Sequence, residues 1–321
     1  MENKRERSLR GFPVQLFAVI MGISGLTIAY AKAFHYFGLP RFIYEALLVI
    51  DTALFFLIFT TYMIKWVKYP DAIKKEFNHP IKSSFAAAIS ISFLLISISF
   101  YDFAPTVAVS YWYIGAPLHL YFTYKTLKFW IFNEFQINHI SPAWFIPIVG
   151  NVLVPVVGVD VMPEELSIFY FALGIFFWIV LFTIIVYRMI FHHPMPKRLL
   201  PTFFILIAPP AVGFISYFRI TFGSIDIFGL SLYFVALFTF ILMLIMMNVF
   251  LKLEFFISWW AYTFPMAAIT IATMLLYMAY RNELTYISSI IFLIITTIIV
   301  GIVAYKTIEA ALQGKICVEE E

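Results

Sequence analysis

The sequence predicts an all-α integral membrane protein with ten transmembrane helices, arranged as five helical hairpins around a central pore. Three observations support this fold class. The chain is very apolar, its apolar residues form long continuous stretches, and its basic residues fall mostly on one side of those stretches. Odd-numbered spans are expected to lie inside and even-numbered spans outside.

The composition excludes a soluble fold. Only 12% of the residues are charged and 63% are hydrophobic, whereas a soluble domain is about 25% charged. The apolar stretches are long enough to cross a bilayer as helices and do not alternate as barrel strands do. One cysteine, Cys317, allows neither a disulfide framework nor a cysteine metal site. The sequence holds no catalytic motif, so an enzyme is not expected.

The apolar stretches divide the chain into ten spans. The odd spans begin at similar intervals, which indicates a repeated helical hairpin of the kind found around transport pathways. One domain therefore covers 1–321, with short cytoplasmic tails at 1–12 and 310–321. The predicted spans are 13–33, 43–67, 83–101, 107–131, 142–158, 165–190, 200–219, 227–251, 257–280 and 284–308.

The basic residues predict the orientation. If the N-terminus is inside, 17 of the 21 lysines and arginines lie on the inner side. The four on the outer side are Lys32, Arg41, Arg219 and Arg281. The positive-inside rule then places both termini in the cytoplasm. We expect a multi-pass protein of the plasma membrane, or of the inner membrane of a bacterium, and no binding of nucleic acid.

The odd spans differ in chemistry from the even ones. The even spans are rich in Phe, Ile, Leu and Tyr, while the odd spans carry prolines and small polar residues. Proline frees a backbone carbonyl that needs a protein or water partner within the membrane. The odd spans are therefore expected to line a path, although small residues also permit close helix packing. The disrupting residues include Gly22, Gly25, Pro147, Gly150, Asn151, Pro155, Pro209, Pro210, Gly213, Thr263, Pro265 and Thr270.

Ionisable residues are absent from the interiors of the predicted inner spans. Coupled carriers usually bury a carboxylate or histidine in their path, so this favours a passive route. Asp51 in span two is either a coupling charge or a structural partner of a neighbouring helix. His119 in span four is expected to be a packing residue. No metal site or cofactor is expected, because ligand-type residues do not recur at helical spacing.

The segment 259–266, WWAYTFPM, carries the most specific signal. It resembles the ninth-helix motif of the tellurite-resistance/dicarboxylate transporter family. That family includes plant slow-type anion channels, a bacterial tellurite-resistance channel, and fungal malate and sulfite transporters. Further similar segments occur in the same order, at 76–82 (EFNHPIK), 142–151 (PAWFIPIVGN) and 207–210 (IAPP).

The resemblance implies five hairpins around one pore per subunit, a homotrimer, and selectivity for anions. It also implies that Phe264 plugs the pore. The pore-lining candidates are Gly22, Gly150, Asn151, Pro210, Thr263 and Pro265. One departure concerns the first helix, where Ala18 replaces a glycine that is frequent in the family, and this can narrow the bore.

We therefore expect a passive channel for small anions, which are chloride, nitrate, a dicarboxylate or an oxyanion. The alternative is a carrier for C4-dicarboxylates, tellurite or sulfite, and a third class is a membrane scaffold or sensor without transport. Membrane lipid is an expected partner, since the basic loop at 65–82 suits anionic lipid of the inner leaflet.

Overall fold

The computed structural model describes residues 8–318, and these residues form helices and loops without strands. Part of each predicted tail, including Lys4, Arg5, Arg7 and Glu319 to Glu321, lies outside the described residues. The helices are α1 Phe17–Phe37, α2 Arg41–Lys68, α3 Pro70–Asn78, α4 Lys82–Ala86, α5 Ala88–Tyr101, α6 Pro105–Phe132, α7 Phe145–Val149, α8 Pro155–Gly158, α9 Glu164–Phe191, α10 Ala208–Ile220, α11 Ile227–Ile245, α12 Met247–Phe250, α13 Thr263–Tyr280 and α14 Glu283–Leu312.

Eight helical segments in this part of the chain are long and apolar enough to cross a membrane. Two predicted spans fall outside this set. Helix α6 is 28 residues long, but tyrosines and His119 interrupt its apolar residues. The stretch 142–158 is short and broken into α7, α8 and two 3-10 turns. The arrangement of ten spans in five hairpins therefore stays a prediction.

Burial alternates along the chain between long helical segments. The four segments Val14–Phe37, Lys82–Tyr101, Lys197–Ile220 and Ile257–Tyr280 bury 83% to 94% of their most apolar stretch. The other four segments contain α2, α9, α11 and α14. They bury only 22% to 39% of their most apolar stretch. The first group, rich in small residues and proline, therefore forms the core, and the second group covers it with exposed apolar side chains.

The buried helices form a closed ring. Helix α1 contacts α5, α5 contacts α8, α8 contacts α10, α10 contacts α13, and α13 returns to α1. Each of these inner helices also packs against a helix that follows it, as α1 does with α2 and α13 does with α14. The first parts of all five inner segments lie together around one cavity, so these segments share a direction.

The two described ends of the chain meet. The Ser8 amide donates to the Cys317 carbonyl at 3.3 Å, and a Cβ added at Gly11 would lie 2.6 Å from the same oxygen. We call this side of the molecule the termini end and the opposite side the far end. Every inner helix begins at the termini end and finishes at the far end.

The prolines of the inner segments mark helix starts. Helices α1, α10 and α13 are each preceded by a 3-10 segment, at Val14–Leu16, Lys197–Ile207 and Ile257–Tyr262. Pro265 lies in the first turn of α13, and Pro209 with Pro210 lies in the first turn of α10. Proline is tolerated there because first-turn amides have no partner within the helix. These prolines thus leave the helices unbroken and create few free carbonyls.

Local side chains determine where several outer helices begin and inner helices end. Asp226 caps α11 by accepting from the amides of Phe228 and Gly229, each at 3.0 Å. The Tyr217 hydroxyl donates to the same carboxylate and holds the pKa of Asp226 below its usual range. Helix α1 ends at Gly38, which has a φ of 69° that favours glycine.

Candidate functional site

A cavity of about 1570 Å³ opens at the termini end of the ring. All five inner segments contribute to its wall, together with the loop before α4 and the residues 315–318. Above a polar rim the wall is apolar. It includes Ala18, Met21, Ile91, Phe145, Val149, Leu153, Ala208, Val212, Trp260 and Phe264.

The rim of this cavity is basic. Seven basic side chains line it against two acidic ones, Asp71 and Glu76. Both acidic groups are paired, Asp71 with Arg10 and Glu76 with Lys65, whose Nζ lies 2.8 Å from Glu76 Oε1. The basic set is Arg10, Lys65, Lys74, Lys75, Lys82, Arg198 and Lys315. The described residues therefore give the mouth a net positive charge.

The cavity ends part of the way along the ring. Because the inner helices are parallel, the highest-numbered lining residue of each marks the depth that the cavity reaches. These residues are Met21, Ile91, Leu153, Val212 and Pro265. Phe264 lies at this floor and is only 9% exposed. Its ring faces α1, since a Cβ added at Gly25 would lie 3.4 Å from Phe264 Cδ2.

The structure brings three of the seven residues predicted for the gate and the pore lining to the cavity wall, namely Gly150, Phe264 and Pro265. The other four do not line it. Thr263 is fully buried, and its hydroxyl donates to the Trp260 carbonyl at 2.7 Å. Pro210 is buried within α10, while the neighbouring Pro209 faces the cavity.

Gly22 is a packing position between α1 and α13. A Cβ added there would lie 2.2 Å from Thr263 Oγ1 and 2.9 Å from the Trp260 ring. Only a residue without a side chain permits this approach. The interpretation of small residues as packing devices, which the sequence left open, therefore applies to Gly22 in this structure.

Asn151 lies behind the wall. Its amide nitrogen donates to Thr123 Oγ1 at 2.8 Å and to the Ile148 carbonyl at 2.7 Å, which ties the broken segment 142–158 to α6. His119 occupies a similar place. A Cβ added at Gly150 would lie 2.6 Å from His119 Nε2, and His119 Nδ1 lies 2.9 Å from Ser90 Oγ. Gly150 thus lets the histidine approach the wall without entering the cavity.

Asp51 is fully buried between three helices, away from the cavity wall. Its Oδ1 accepts from Ser24 Oγ of α1 at 2.9 Å, and its Oδ2 accepts from Ser99 Oγ of α5 at 3.3 Å. The Ser99 carbonyl in turn accepts from the Tyr44 hydroxyl at 2.8 Å. Asp51 therefore joins α2 to two inner helices, which supports its role as a structural partner.

Replacing Asp51 by Asn tests this structural role. The amide keeps the shape and one acceptor, so we expect the loss of about 1 kcal/mol, in the range of interhelical hydrogen bonds in membranes. Thermal unfolding of the purified protein should show a small decrease in Tm, with transport unchanged. Ser24→Ala is the matched control, since it removes the donor and keeps the carboxylate. Loss of transport in Asp51→Asn with an unchanged Tm would instead support a coupling charge.

The sequence did not single out several wall residues. Ile91, Val149 and Val212 line the cavity but resemble the other aliphatic residues of their helices. A helix turns about 100° per residue, so without the facing direction of each helix the choice between Pro209 and Pro210 was arbitrary. Ala18 was singled out for its methyl group, and it is half-buried on the wall.

Metal-type ligands do not gather in the described part of the chain, where no group of three His, Cys, Asp or Glu residues stands at ligand distance. The cavity instead offers an apolar chamber behind a basic mouth. Such a chamber can admit small anions and bring them to Phe264.

Comparisons with known proteins place the chain among membrane transporters and channels. The family model of SLAC1, described as a voltage-dependent anion channel, matches residues 11–308. An uncharacterized transporter of Methanocaldococcus jannaschii, MJ0762, is 27% identical over an alignment of 301 residues that covers 86% of this chain and 88% of the relative.

Two further relatives carry functional names. The S-type anion channel SLAH3 of Arabidopsis thaliana is 28% identical over an alignment of 322 residues that covers 95% of this chain and 49% of the plant protein. This chain thus spans about half the length of that relative. The tellurite resistance protein TehA homolog of Haemophilus influenzae is 21% identical over 305 residues, which is 94% of this chain and 92% of the relative.

The family match covers nearly the whole chain, including the WWAYTFPM segment and most of the residues that line the cavity. The family resemblance predicted from the sequence is therefore confirmed, and this chain belongs to the SLAC1 family, described as voltage-dependent anion channels.

Proposed function

We propose that this protein is a passive channel for small anions and that Phe264 closes its path. In this proposal ten transmembrane helices form five hairpins, and the termini end faces the cytoplasm, as the distribution of basic residues predicts. The observation that carries the proposal is the cavity itself. It has a basic mouth, uncharged walls and a phenylalanine at its floor.

The helix directions support anion entry. All five inner segments begin at the termini end, so the positive ends of their dipoles point toward the cavity mouth. The long helices α1, α5, α10 and α13 each carry roughly half an elementary charge at this end, which favours anions. The net positive rim adds to this potential and raises the local anion concentration. Both effects have the same sign, and both disfavour cations.

The position of the ionisable residues supports a passive path. Asp51 is the coupling charge that the sequence offered, His119 was expected to be a packing residue, and neither lines the cavity. Asp51 is held by two serine hydroxyls, and His119 lies behind Gly150. A carrier driven by protons needs a titratable group that the substrate and the proton reach in turn.

Phe264 suits the role of a closing side chain for a physical reason. Its ring is apolar, so a hydrated anion that approaches it loses water without gaining a new partner. Two side-chain torsions can move the ring, and on its α1 side the ring meets Gly25, which has no side chain. A hydrophobic constriction of this kind closes a path by excluding water.

Reversal potentials in planar bilayers test the proposed function. Purified protein is recorded under gradients of chloride, nitrate and malate salts, with and without a pH gradient. We expect reversal potentials that follow the anion gradient and do not change with pH difference. Malate uptake that requires a proton gradient would support the carrier for dicarboxylates, tellurite or sulfite, and absence of any flux would support a scaffold or sensor.

The rim charges give a second prediction. Replacing Lys74 and Lys75 by Gln removes two exposed positive charges from the mouth. We expect anion conductance to decrease about twofold at low salt and to recover in 1 M salt, where the Debye length is about 3 Å. The control is Lys125→Gln with Lys128→Gln, which changes the same charge on α6 away from the cavity. Equal effects of the two pairs would contradict a local role of the rim.

We also propose a homotrimer with one path in each subunit. The exposed apolar faces of the outer helices then contact either lipid or a neighbouring subunit. Two such faces are α9 and α14, where Phe176 and Ile298 are more than half exposed. Membrane lipid, including anionic lipid near the basic loop 65–82, covers the remaining faces.

A further inference from the structure

The far end of the ring carries a cluster of polar and charged side chains that the cavity does not include. Four of the five inner segments contribute at least one member, at or just after the carboxyl end of the segment. We define the far-end cluster as Lys32 and Tyr36 of α1, Tyr101 and Asp102 at the end of α5, Asp160 after α8, and Arg219 of α10.

The contacts of the cluster tie neighbouring inner segments to one another. Arg219 Nη2 is paired with Asp160 Oδ2, and Arg219 Nε donates to the Val156 carbonyl at 3.0 Å. The Tyr101 hydroxyl donates to the same Asp160 oxygen at 2.6 Å. Asp160 therefore joins the ends of α5, α8 and α10 in one network.

A second ion pair lies on the other side of the far end. Lys32 Nζ lies 3.0 Å from Asp102 Oδ2, and His35 Nε2 lies 3.4 Å from the same oxygen. This pair joins α1 to the end of α5. The Lys32 and Asp102 side chains are 26% and 24% exposed, and Arg219 and Asp160 are 34% and 37% exposed. All four groups are thus within reach of ions in solution.

The cluster lies over the axis of the ring and not at its edge. The Arg219 guanidinium at the end of α10 lies 5.8 Å from the centre of the Tyr101 ring at the end of α5. Helices α5 and α10 are not neighbours in the ring, because α8 packs between them. A contact between their ends must therefore lie toward the centre of the far end.

We propose that the far-end cluster is a second closure of the path and also an anion-binding site, in which a permeating anion replaces Asp160 as the partner of Arg219. This inference rests on the proposed anion path. It differs from the Phe264 closure, because here an ion pair is exchanged and no apolar ring moves.

The chemistry of the freed groups indicates which anions this site prefers. When Asp160 leaves, the Arg219 guanidinium and the Tyr101 hydroxyl both become available as donors. A guanidinium binds planar oxyanions through two parallel hydrogen bonds, which a spherical halide cannot match. The site should therefore favour nitrate or a carboxylate over chloride.

A purely structural role for these groups makes a different prediction. Cations near helix carboxyl ends are favourable for the helix dipole, so Arg219 and Lys32 could serve stability alone. In that case loss of Asp160 lowers Tm without changing which anion permeates. Permeability ratios therefore distinguish the two roles, while stability measurements do not.

The experiment uses the full chain in bilayers with three variants. Asp160→Asn removes the competing carboxylate charge, and we expect anion conductance to rise about two- to fivefold. Arg219→Lys keeps the charge but loses the planar fork, so we expect a similar conductance with the nitrate-to-chloride permeability ratio at least halved. Glu45→Gln is the control, because it breaks the exposed Arg41–Glu45 pair (2.9 Å) at the same end on outer helix α2.

Two results would overturn the inference. One is an Asp160→Asn conductance equal to that of Glu45→Gln, and the other is a nitrate-to-chloride ratio unaffected by Arg219→Lys. If Asp160→Asn does not elute as a monodisperse protein in size-exclusion chromatography, the nitrate-to-chloride permeability ratio of Arg219→Lys decides the question by itself. A wild-type protein without anion current would refute the proposed function and this inference with it, whereas unchanged variants of a conducting wild type refute only the inference.

Discussion

Replacing Phe264 by Ala should raise anion conductance by about an order of magnitude, which corresponds to about 1.4 kcal/mol of barrier. The ring lies at the floor of the cavity, where residues from all five inner segments converge. Its removal leaves a space lined by Gly25 and the neighbouring helices. Water can then enter this level of the path, so an anion no longer loses its hydration there.

The measurement is single-channel conductance in a bilayer, together with the reversal potential. Phe214→Ala is the matched control. Phe214 is also fully buried, but its ring packs 5.7 Å from Tyr233 of α11, outside the cavity wall. We expect this control to lower Tm, since truncation of a buried Phe costs about 3–5 kcal/mol, and to leave conductance unchanged. Equal conductance of wild type and Phe264→Ala would refute Phe264 as the closing residue.

Replacing Gly22 by Ala should destabilise the protein by about 1–3 kcal/mol, the usual cost of overpacking. The added methyl group would overlap both Thr263 and Trp260. Neither neighbour can move easily. Trp260 is 2% exposed and its indole nitrogen donates to Thr307 Oγ1 at 2.9 Å, while the Thr263 hydroxyl is bonded to the Trp260 carbonyl. Helix α1 must therefore shift away from α13.

Thermal unfolding of the purified protein checks this result. Gly301→Ala is the control, because Gly301 also lies within a helix but has nothing within 4 Å of an added Cβ. There alanine should be neutral or stabilise by roughly 0.4–1 kcal/mol. A Gly22→Ala protein with the Tm of wild type and reduced conductance would instead restore Gly22 to the pore lining.

The sequence predicted which segments are buried better than it predicted which side of each helix lines the cavity. Segments with proline and small residues proved to be buried, and segments rich in Phe, Ile and Leu proved to be exposed. This worked because a residue facing lipid and a residue facing a helix neighbour meet different chemical demands. The facing direction within a helix depends on its rotation about its own axis. That rotation results from packing against neighbours such as Trp260, which no local pattern encodes.

The role of proline is the main physical correction. The sequence interpretation treated Pro265 and Pro210 as breaks that free carbonyls in the membrane. In the structure they begin α13 and α10, where a missing amide costs little. The four long segments with proline and small residues are therefore buried for a different reason, which is the dense packing of small residues such as Gly22 and Gly25.

The far-end cluster could not be predicted, because its members are far apart in the sequence. Lys32 and Arg219 were counted individually as basic residues on the outer side. Their common position follows from the parallel direction of the inner helices, which brings five carboxyl ends to one place. Only the closed ring of contacts makes this arrangement visible.

The meeting of the two chain ends gives the protein a built-in reporter of sidedness. Cys317, the single cysteine of the sequence, lies on the cavity wall beside the N-terminal segment. A membrane-impermeant thiol reagent can label it only from the compartment into which the cavity opens. Comparing the labelling of right-side-out vesicles with that of inverted vesicles would therefore show on which side of the membrane the cavity opens. No engineered tag is needed.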